Sequence, residues 1–303
     1  MSTTGPNTTR PDTSSLNTPG RGAAGVAALR LEPPSTPLER LRWGLGDTLV
    51  IAGRSYARLR AQPGEIAGAL IFPVIMTVLF GYVFGSAITL PGGGDYRNYL
   101  MPGIFMQVMA LGTVASATAV AEDMAQGVID RFRAQPIARS AVLAGRTVAD
   151  VSRGVMSLGS MALCGVLLAG WRPHGGLLAT IEGFALFALF GYAMIWVGTY
   201  IGLFVKNGAQ ADAATFGWVL PMTFLANAFV PLEGLPRWLR AVADWNPMSA
   251  VVSAGRTLFG NPGSAADSWP LRHPVAATLA WSLLIIAVFV PLAVRRYRTA
   301  TSR

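Results

Sequence analysis

Uncharged apolar runs dominate this chain of 303 residues and restrict what it can fold into. Six runs are long enough, or nearly so, to cross a bilayer, because a hydrocarbon core of about 30 Å needs about 20 apolar helical residues. The runs are continuous rather than alternating, which favours helices over a barrel. The sequence therefore predicts an all-α membrane protein with six transmembrane helices, at residues 66–87, 100–121, 151–171, 183–205, 213–232 and 274–294.

The composition agrees with a lipid-embedded chain, since 52% of the residues are hydrophobic and 13% are charged. The formal net charge of +9 would also suit a nucleic-acid-binding protein, but the basic residues lie in the loops between the apolar runs. We therefore expect membrane lipid and no nucleic acid as a partner. The single cysteine, Cys164, cannot form a disulfide within the chain, and we interpret it as a small core residue.

Positive charges orient the predicted helices. An even number of spans puts both termini on one side of the membrane. Most of the 24 basic residues lie on that side, in the terminal segments and in the loops after spans two and four. The positive-inside rule makes this side cytoplasmic. The sequence thus predicts a multi-pass protein of the plasma (inner) membrane with cytoplasmic N- and C-termini.

The segment before the first span divides into two parts. Residues 1–37 are rich in Ser, Thr, Pro and Gly and predict a disordered cytoplasmic tail. The transmembrane domain would then occupy residues 38–303. At its start, apolar residues recur every three or four positions over 38–62, with arginines on another face. This pattern indicates an amphipathic helix at the membrane interface, and a cytosolic core helix is the alternative.

The loop at 122–150, between spans two and three, carries a specific pattern of charge and breakers. Two acidic residues open it, Gly127 allows a sharp bend, and Pro136 stops the short charged element between them. An apolar anchor at Phe132, framed by charges, suits a groove of complementary charge on a partner. A solvated loop whose arginines only fix the topology explains the same spacing equally well.

The segment at 233–273, between spans five and six, also has a defined pattern. An apolar stripe at helical spacing runs from Leu235 to Trp245, and Asn246-Pro247 breaks it before a second short helix. The pattern predicts re-entrant or interfacial helices on the outer side. Trp238 and Trp245 would then anchor the segment at the headgroups or line an exit path.

Three motifs carry a family resemblance. They are G-V-I-D-R-F-R-A-Q-P-I-A-R-S at 127–140, F-L-A-N-A-F-V-P at 224–231, and Asn246-Pro247 followed by Arg256. Together with the six spans, they resemble the membrane subunit of an ABC-2 type transporter, most closely the daunorubicin-resistance type of drug-export permease. The resemblance runs from about Leu41 to Arg298 and leaves out the N-terminal tail.

The resemblance implies that the loop after span two is a coupling helix that docks on a separate ATPase subunit. The amphipathic helix before span one would lie beside the same partner through Arg54, Arg58 and Arg60. Carried onto this sequence, the ATPase-coupling residues of the loop are Glu122, Asp123, Gly127, Asp130, Arg131, Phe132, Arg133 and Pro136.

The chain carries no ATP site of its own. A phosphate-cradling P-loop needs G-x-x-x-x-G-K-[ST], and the one lysine, Lys206, follows Val205 and precedes Asn207. We therefore expect no cofactor on this chain, with ATP and Mg bound by the partner ATPase. A second permease copy would complete the transporter, as a homodimer or with a paralogue. Glycines of span four would pack either between copies or within the chain.

The resemblance implies export of hydrophobic drug or antibiotic-like molecules by rigid-body alternation of two membrane halves. Polar groups and large apolar groups within the spans are candidates for the substrate path. Core packing, lipid contact or interhelical hydrogen bonding explains the same residues. The candidates are Phe105, Gln107, Met109, Phe224 and Asn227.

Other functions fit the sequence less well. An ABC-2 permease for polysaccharide or lipid-linked material would have the same architecture and differ only in substrate. An ion-coupled carrier usually needs a carboxylate within its spans, and the predicted spans contain none. An intramembrane serine enzyme would rely on Ser160, but both histidines, His174 and His273, lie in predicted outer loops.

Overall fold

The computed structural model describes residues 71, 74–75, 77–84, 95–126, 139–229, 234–261, 263 and 268–300. These residues form helices joined by turns, and no strand occurs among them, which confirms the all-α prediction for this part of the chain. In chain order the elements are α1 (Leu79–Phe84, π-helical), α2 (Tyr96–Ala125), α3 (Arg139–Cys164), α4 (Gly176–Gly202), α5 (Gly208–Leu225), α6 (Arg237–Asp244), α7 (Pro247–Phe259), α8 (Trp269–Arg272) and α9 (Pro274–Ala300).

Four helical stretches are long and apolar enough to cross a bilayer: Tyr96–Ala125, Asp150–Ala169, Gly176–Gly202 and Pro274–Tyr297. They correspond to predicted spans two, three, four and six. The third includes a π-helical end, Gly165–Ala169, that continues α3. Predicted span one lies largely outside the described residues, although those between positions 71 and 84 are helical. Predicted span five corresponds to α5, which is not among these four stretches. The count of six spans therefore stays a prediction.

The helices extend beyond the apolar runs that predicted them. α2 begins four residues early, where the Asp95 side chain accepts a hydrogen bond from Arg97 N at 3.0 Å. α3 begins at Arg139, so the end of the predicted loop at 122–150 is helical. α4 begins at Gly176 and therefore includes Glu182, one residue before predicted span four. Helical hydrogen bonds join backbone groups, so a helix continues after its side chains become polar.

The centre of the bundle is α2, which packs along both α4 and α5. Close approach to α4 depends on three glycines that face α2. A Cβ at Gly191 would lie 2.7 Å from Met109 Sδ, and one at Gly202 would lie 2.5 Å from Ala117 O. A Cβ at Gly198 would overlap the carbonyl of Thr113. These glycines therefore pack within the chain, where small residues let helix backbones approach.

α5 ends earlier than predicted. The apolar run continues to residue 232, but the helix stops at Leu225, and Ala226 is extended with φ −70° and ψ 157°. Pro221 lies within the last turns and removes one helical hydrogen bond. The stretch from Ala226 to Phe229 is buried although it is not helical.

The segment between α5 and α9 contains two unlike helices. Trp238 on α6 and Trp245 just beyond its end are exposed, at 70% and 58% of their surface. α7 is buried against α2, α4 and α9, and its Val251, Val252 and Phe259 are fully enclosed. The predicted pair of interfacial helices is thus one exposed helix followed by one helix inside the bundle.

Candidate functional site

Carboxylates gather where α2 ends and α5 begins, which we name the Glu122 end of the bundle. Thr118 on α2 donates a hydrogen bond to Asp212 on α5. One turn further along α2, Glu122 lies over the first residue of α5, since a Cβ at Gly208 would lie 2.9 Å from Glu122 Oε1. A negative charge beside the N-terminus of a helix is favoured by the helix dipole. These contacts hold the start of α5 against the end of α2.

The predicted coupling loop leaves α2 at this end. Glu122 and Asp123 lie in the last turns of α2, and Gln126 N closes the helix on Glu122 O at 2.9 Å. The other predicted ATPase-coupling residues lie outside the described part of the chain, so docking stays a prediction. They are Gly127, Asp130, Arg131, Phe132, Arg133 and Pro136 in the loop, and Arg54, Arg58 and Arg60 in the predicted interfacial helix.

The structure encloses four of the five predicted substrate-path residues within the chain. Phe105 is fully buried in an aromatic cluster with Trp171, Phe184, Phe187 and Phe259, at ring-centroid distances of 5.2, 5.6, 5.9 and 6.1 Å. Gln107, Met109 and Asn227 are also buried. Phe224 differs from these, because 56% of its surface is exposed.

Met109 lines a shallow pocket between α2, α3 and α4 whose volume of about 20 Å³ has room for about one water molecule. The other lining side chains are apolar apart from Tyr192. The pocket is smaller than the ≈ 300–1,000 Å³ typical of sites for drug-sized ligands. It therefore has no room for a drug molecule.

Buried polar groups gather at the opposite end of the bundle, where α2 begins and α5 ends; we name this the Arg256 end. Arg256, on α7, is 1% exposed. Its Nε donates to Tyr99 O at 3.0 Å, and its Nη2 donates to Asn227 O at 2.7 Å and Ala228 O at 3.2 Å. Its guanidinium carbon lies 3.5 Å from the centre of the Tyr99 ring, a cation–π contact. A buried charge needs such partners to offset its lost hydration.

An interruption in α2 leaves one backbone carbonyl at the Arg256 end without its usual helical donor. Pro102 lies inside α2 and has no N–H, so Asn98 O lacks its usual helical donor. Asn261 Nδ2, just beyond α7, donates to this oxygen at 2.8 Å. Asn246 Nδ2, at the start of α7, donates to Met222 O in the last turn of α5 at 2.8 Å. The Asn261 side chain thus replaces the donor that Pro102 removes from α2, whereas Asn246 adds a second donor to Met222 O, which already accepts from Ala226 N at 3.1 Å.

The non-helical stretch after α5 is fixed by further side chains. Tyr96 donates from its hydroxyl to Phe229 O at 2.7 Å. Asn227 donates from Nδ2 to Ser253 Oγ at 2.7 Å and from its backbone N–H to Ser249 Oγ at 3.3 Å. Irregular backbone is stable at membrane depth only where protein groups satisfy it. The arrangement can hold two helix ends in register; among the described residues no cluster of His, Cys, Asp or Glu could bind a metal.

Comparison with known proteins decides the family. A model described as ABC-2 type transporter matches residues 47–259. The chain belongs to the ABC-2 type transporter family. This confirms the family that the motifs predicted, and the matched region contains the Glu122 end and nearly all of the Arg256 end.

Relatives of this ABC-2 permease are similar along most of their length. The daunorubicin resistance ABC transporter permease protein of Streptomyces coeruleorubidus is 30% identical over 291 residues, covering 96% of this chain and 98% of that protein. A doxorubicin resistance ABC transporter permease protein of Mycobacterium tuberculosis is 25% identical over 271 residues, covering 86% and 92%. A probable doxorubicin resistance permease of the same organism is 22% identical over 258 residues, covering 85% and 90%.

Sequence reasoning found only part of what the permease assembles at its two ends. Arg256 and Asn246 were identified as motif residues without a role, and Asn227 as a polar group within a span. The hydrogen-bonding roles of Asn98 and Asn261 were missed. A proline within an apolar run is the signal that could have indicated them, because its missing N–H leaves a carbonyl that needs another donor.

Proposed function

We propose that this ABC-2 permease is the membrane-spanning subunit of an ATP-driven exporter that moves hydrophobic drug or antibiotic-like molecules out of the cell. The observation that carries the proposal is the 30% identity, over 96% of the chain, with a relative named for daunorubicin resistance. That similarity includes 98% of the relative, so it extends over spans and loops together.

A separate ATPase polypeptide supplies the energy in this proposal. Members of the family generally work with an ABC ATPase partner. The lone lysine, Lys206, lies in no P-loop sequence, so ATP and Mg belong to the partner. The loop that follows Glu122 would dock on the ATPase through Arg131 and Phe132. Because Glu122 lies against the start of α5, a shift of the loop would displace α2 and α5 together.

Substrate would pass between two permease copies in the plasma (inner) membrane. Both termini of each copy would lie in the cytoplasm. ATP-driven closure of the two ATPase subunits would rock the copies between inward- and outward-facing arrangements. Phe224 is the predicted path residue that is exposed on the single chain. An apolar surface that carries such aromatic groups suits hydrophobic amphiphiles.

The test is the accumulation of daunorubicin in cells that carry the permease and its ATPase. We expect the pair to lower accumulation, and Arg131→Glu or Phe132→Asp to restore the level of cells without the permease. The two changes place a negative charge at the proposed contact, so the ATPase should no longer co-purify. Arg237→Glu, an exposed arginine on α6, is the matched control and should export normally.

Two outcomes would contradict the proposal. Unchanged accumulation of several hydrophobic compounds, with build-up of polysaccharide or lipid-linked precursor when the permease is deleted, would assign another substrate class. Co-purification and ATPase stimulation that survive both loop changes would contradict docking through Arg131 and Phe132.

A further inference from the structure

Arg256 connects two helices through one rigid group. Its Nε binds a carbonyl on α2, at Tyr99, while its Nη2 binds the carbonyls of Asn227 and Ala228 just beyond α5. The planar guanidinium fixes the directions of these donors, so the carbonyls on the two elements are held in one geometry. A lysine would keep the charge but carry all its donors on one nitrogen, without that fork.

The two asparagines at the ends of α7 repeat this arrangement. Asn261 binds the carbonyl of Asn98 on α2, and Asn246 binds the carbonyl of Met222 on α5. Both acceptors lie at points where their own helix is interrupted or ends. α7 therefore bridges α2 and α5 at several points, and Arg256 makes both connections at once.

Direct contact between the two bridged elements is also tight. A Cβ at Gly103 on α2 would lie 2.5 Å from Ala228 O. Any side chain at position 103 must therefore push the segment after α5 away from α2, even with the guanidinium intact. This offers an independent way to loosen the same contact.

α2 and α5 run antiparallel and are fixed at both ends. The Glu122 end is joined by Thr118 with Asp212 and by Glu122 over Gly208. The Arg256 end is joined through α7. At the Glu122 end, Ala117, Ala121 and Ala211 also form a small buried cluster, against which Ile201 and Val205 pack.

We propose that Arg256 is a positioning residue for transport: it holds the Arg256 ends of α2 and α5 together, so that displacement at the Glu122 end moves the pair as one body. The inference rests on the proposed function in one respect, namely that the ATPase acts at the Glu122 end. Loss of the guanidinium would let the end of α5 move separately from α2, and hydrolysis would continue with less transport.

The experiment uses the whole permease with its ATPase, reconstituted in lipid vesicles, and measures daunorubicin moved per ATP hydrolysed. We expect Arg256→Lys to assemble and to hydrolyse ATP while the ratio falls by about tenfold, within the range usual for coupling between sites. Gly103→Ala should lower the ratio in the same direction with Arg256 intact. Arg237→Lys, an exposed arginine on α6, should leave it unchanged.

Hydrogen–deuterium exchange gives a second measurement that needs no substrate. The amides of residues 226–229 should exchange faster in Arg256→Lys and Gly103→Ala, and at the native rate in Arg237→Lys. If the native complex exports drug and Arg256→Lys keeps the native ratio, the positioning role is overturned while the proposed function stands. If the native complex exports no drug, the proposed function fails, and the exchange rate alone tests whether Arg256 holds α2 and the end of α5 together. Faster exchange in the variants supports that role, and an unchanged rate overturns it.

Discussion

The relation between hydropathy and burial in helices α2 and α9 is the reverse of that in soluble proteins. α9 is the more apolar of the two, yet 17% of its apolar window is buried in the protein, against 67% for α2. Lipid tails are as apolar as a protein core, so an apolar side chain gains little by turning inward. α2 accordingly carries more buried polar side chains, among them Gln107, Thr113 and Ser116, and the Ser116 hydroxyl has hydrogen-bond partners on α4. In this pair of helices, the more polar helix is the enclosed one and the more apolar helix is the exposed one.

Gly198→Leu should disturb the enclosed helix most severely. Because even a Cβ at position 198 would overlap the carbonyl of Thr113, α4 must move away from α2. We expect loss of monodisperse protein on gel filtration in detergent. Gly159→Leu on α3 is the matched control, since a Cβ there meets no atom within 4 Å, and it should yield native amounts. Equal yields of both variants would contradict the close packing of α2 on α4.

A charge on the exposed helix should have the next largest effect. Leu283 on α9 is 58% exposed, and we interpret its surroundings as lipid rather than water. Leu283→Arg should therefore lower membrane insertion of this helix by about 3 kcal/mol, measured as the inserted fraction in a translocon assay. Leu283→Ala should insert almost normally. Full insertion of the arginine variant would show that this face of α9 meets water or protein.

Truncating an apolar side chain should have a smaller effect, which again differs between the two helices. Ile104 on α2 is fully buried, so Ile104→Ala leaves a cavity and should lower the free energy of unfolding by about 2 kcal/mol. Leu284→Ala on α9, where 53% of the side chain is exposed, should change it by less than about 0.5 kcal/mol. Denaturation in mixed micelles measures both, and similar losses at the two sites would contradict the contrast in burial.

Removing one buried hydroxyl from α2 should have the smallest effect. Ser116 Oγ donates to Ile195 O at 3.2 Å and lies 3.1 Å from Thr199 Oγ1 on α4. Ser116→Ala should cost about 0.6 kcal/mol in the same denaturation measurement, as for other hydrogen bonds between membrane helices. Thr180→Ala removes a bond to Gly176 O within α4 at an exposed position and should have no measurable effect. A larger loss at Thr180 would reverse the proposed ranking.

The sequence predicted the presence of the helices better than their ends. Hydropathy located predicted span two at 100–121, while the helix runs from Tyr96 to Ala125, because polar residues at both ends keep helical backbone. The error at α5 was larger. Its apolar run continues past Leu225, and no local pattern shows that the chain leaves the helix there. That break is stable because donors arrive from α2 and α7.

The Arg256 end could not be assembled from the sequence for the same reason. Arg256 and Tyr99 are 157 positions apart, and Asn261 and Asn98 are 163 apart. Periodicity and motif spacing concern neighbours along the chain and say nothing about such pairs. The sequence also left open whether the glycines of α4 make contacts within the chain or between copies, because it reveals only that these residues are small.

The hydrogen bonds from Arg256, Asn246 and Asn261 end on main-chain oxygens, and this has an evolutionary consequence. A carbonyl is supplied by every amino acid, so Ala228 and Met222 can be exchanged for residues of similar size without loss of the acceptor. The donors have no such freedom. In an alignment of orthologues, the columns of the three donors should be nearly invariant, whereas those of Ala228 and Met222 should drift.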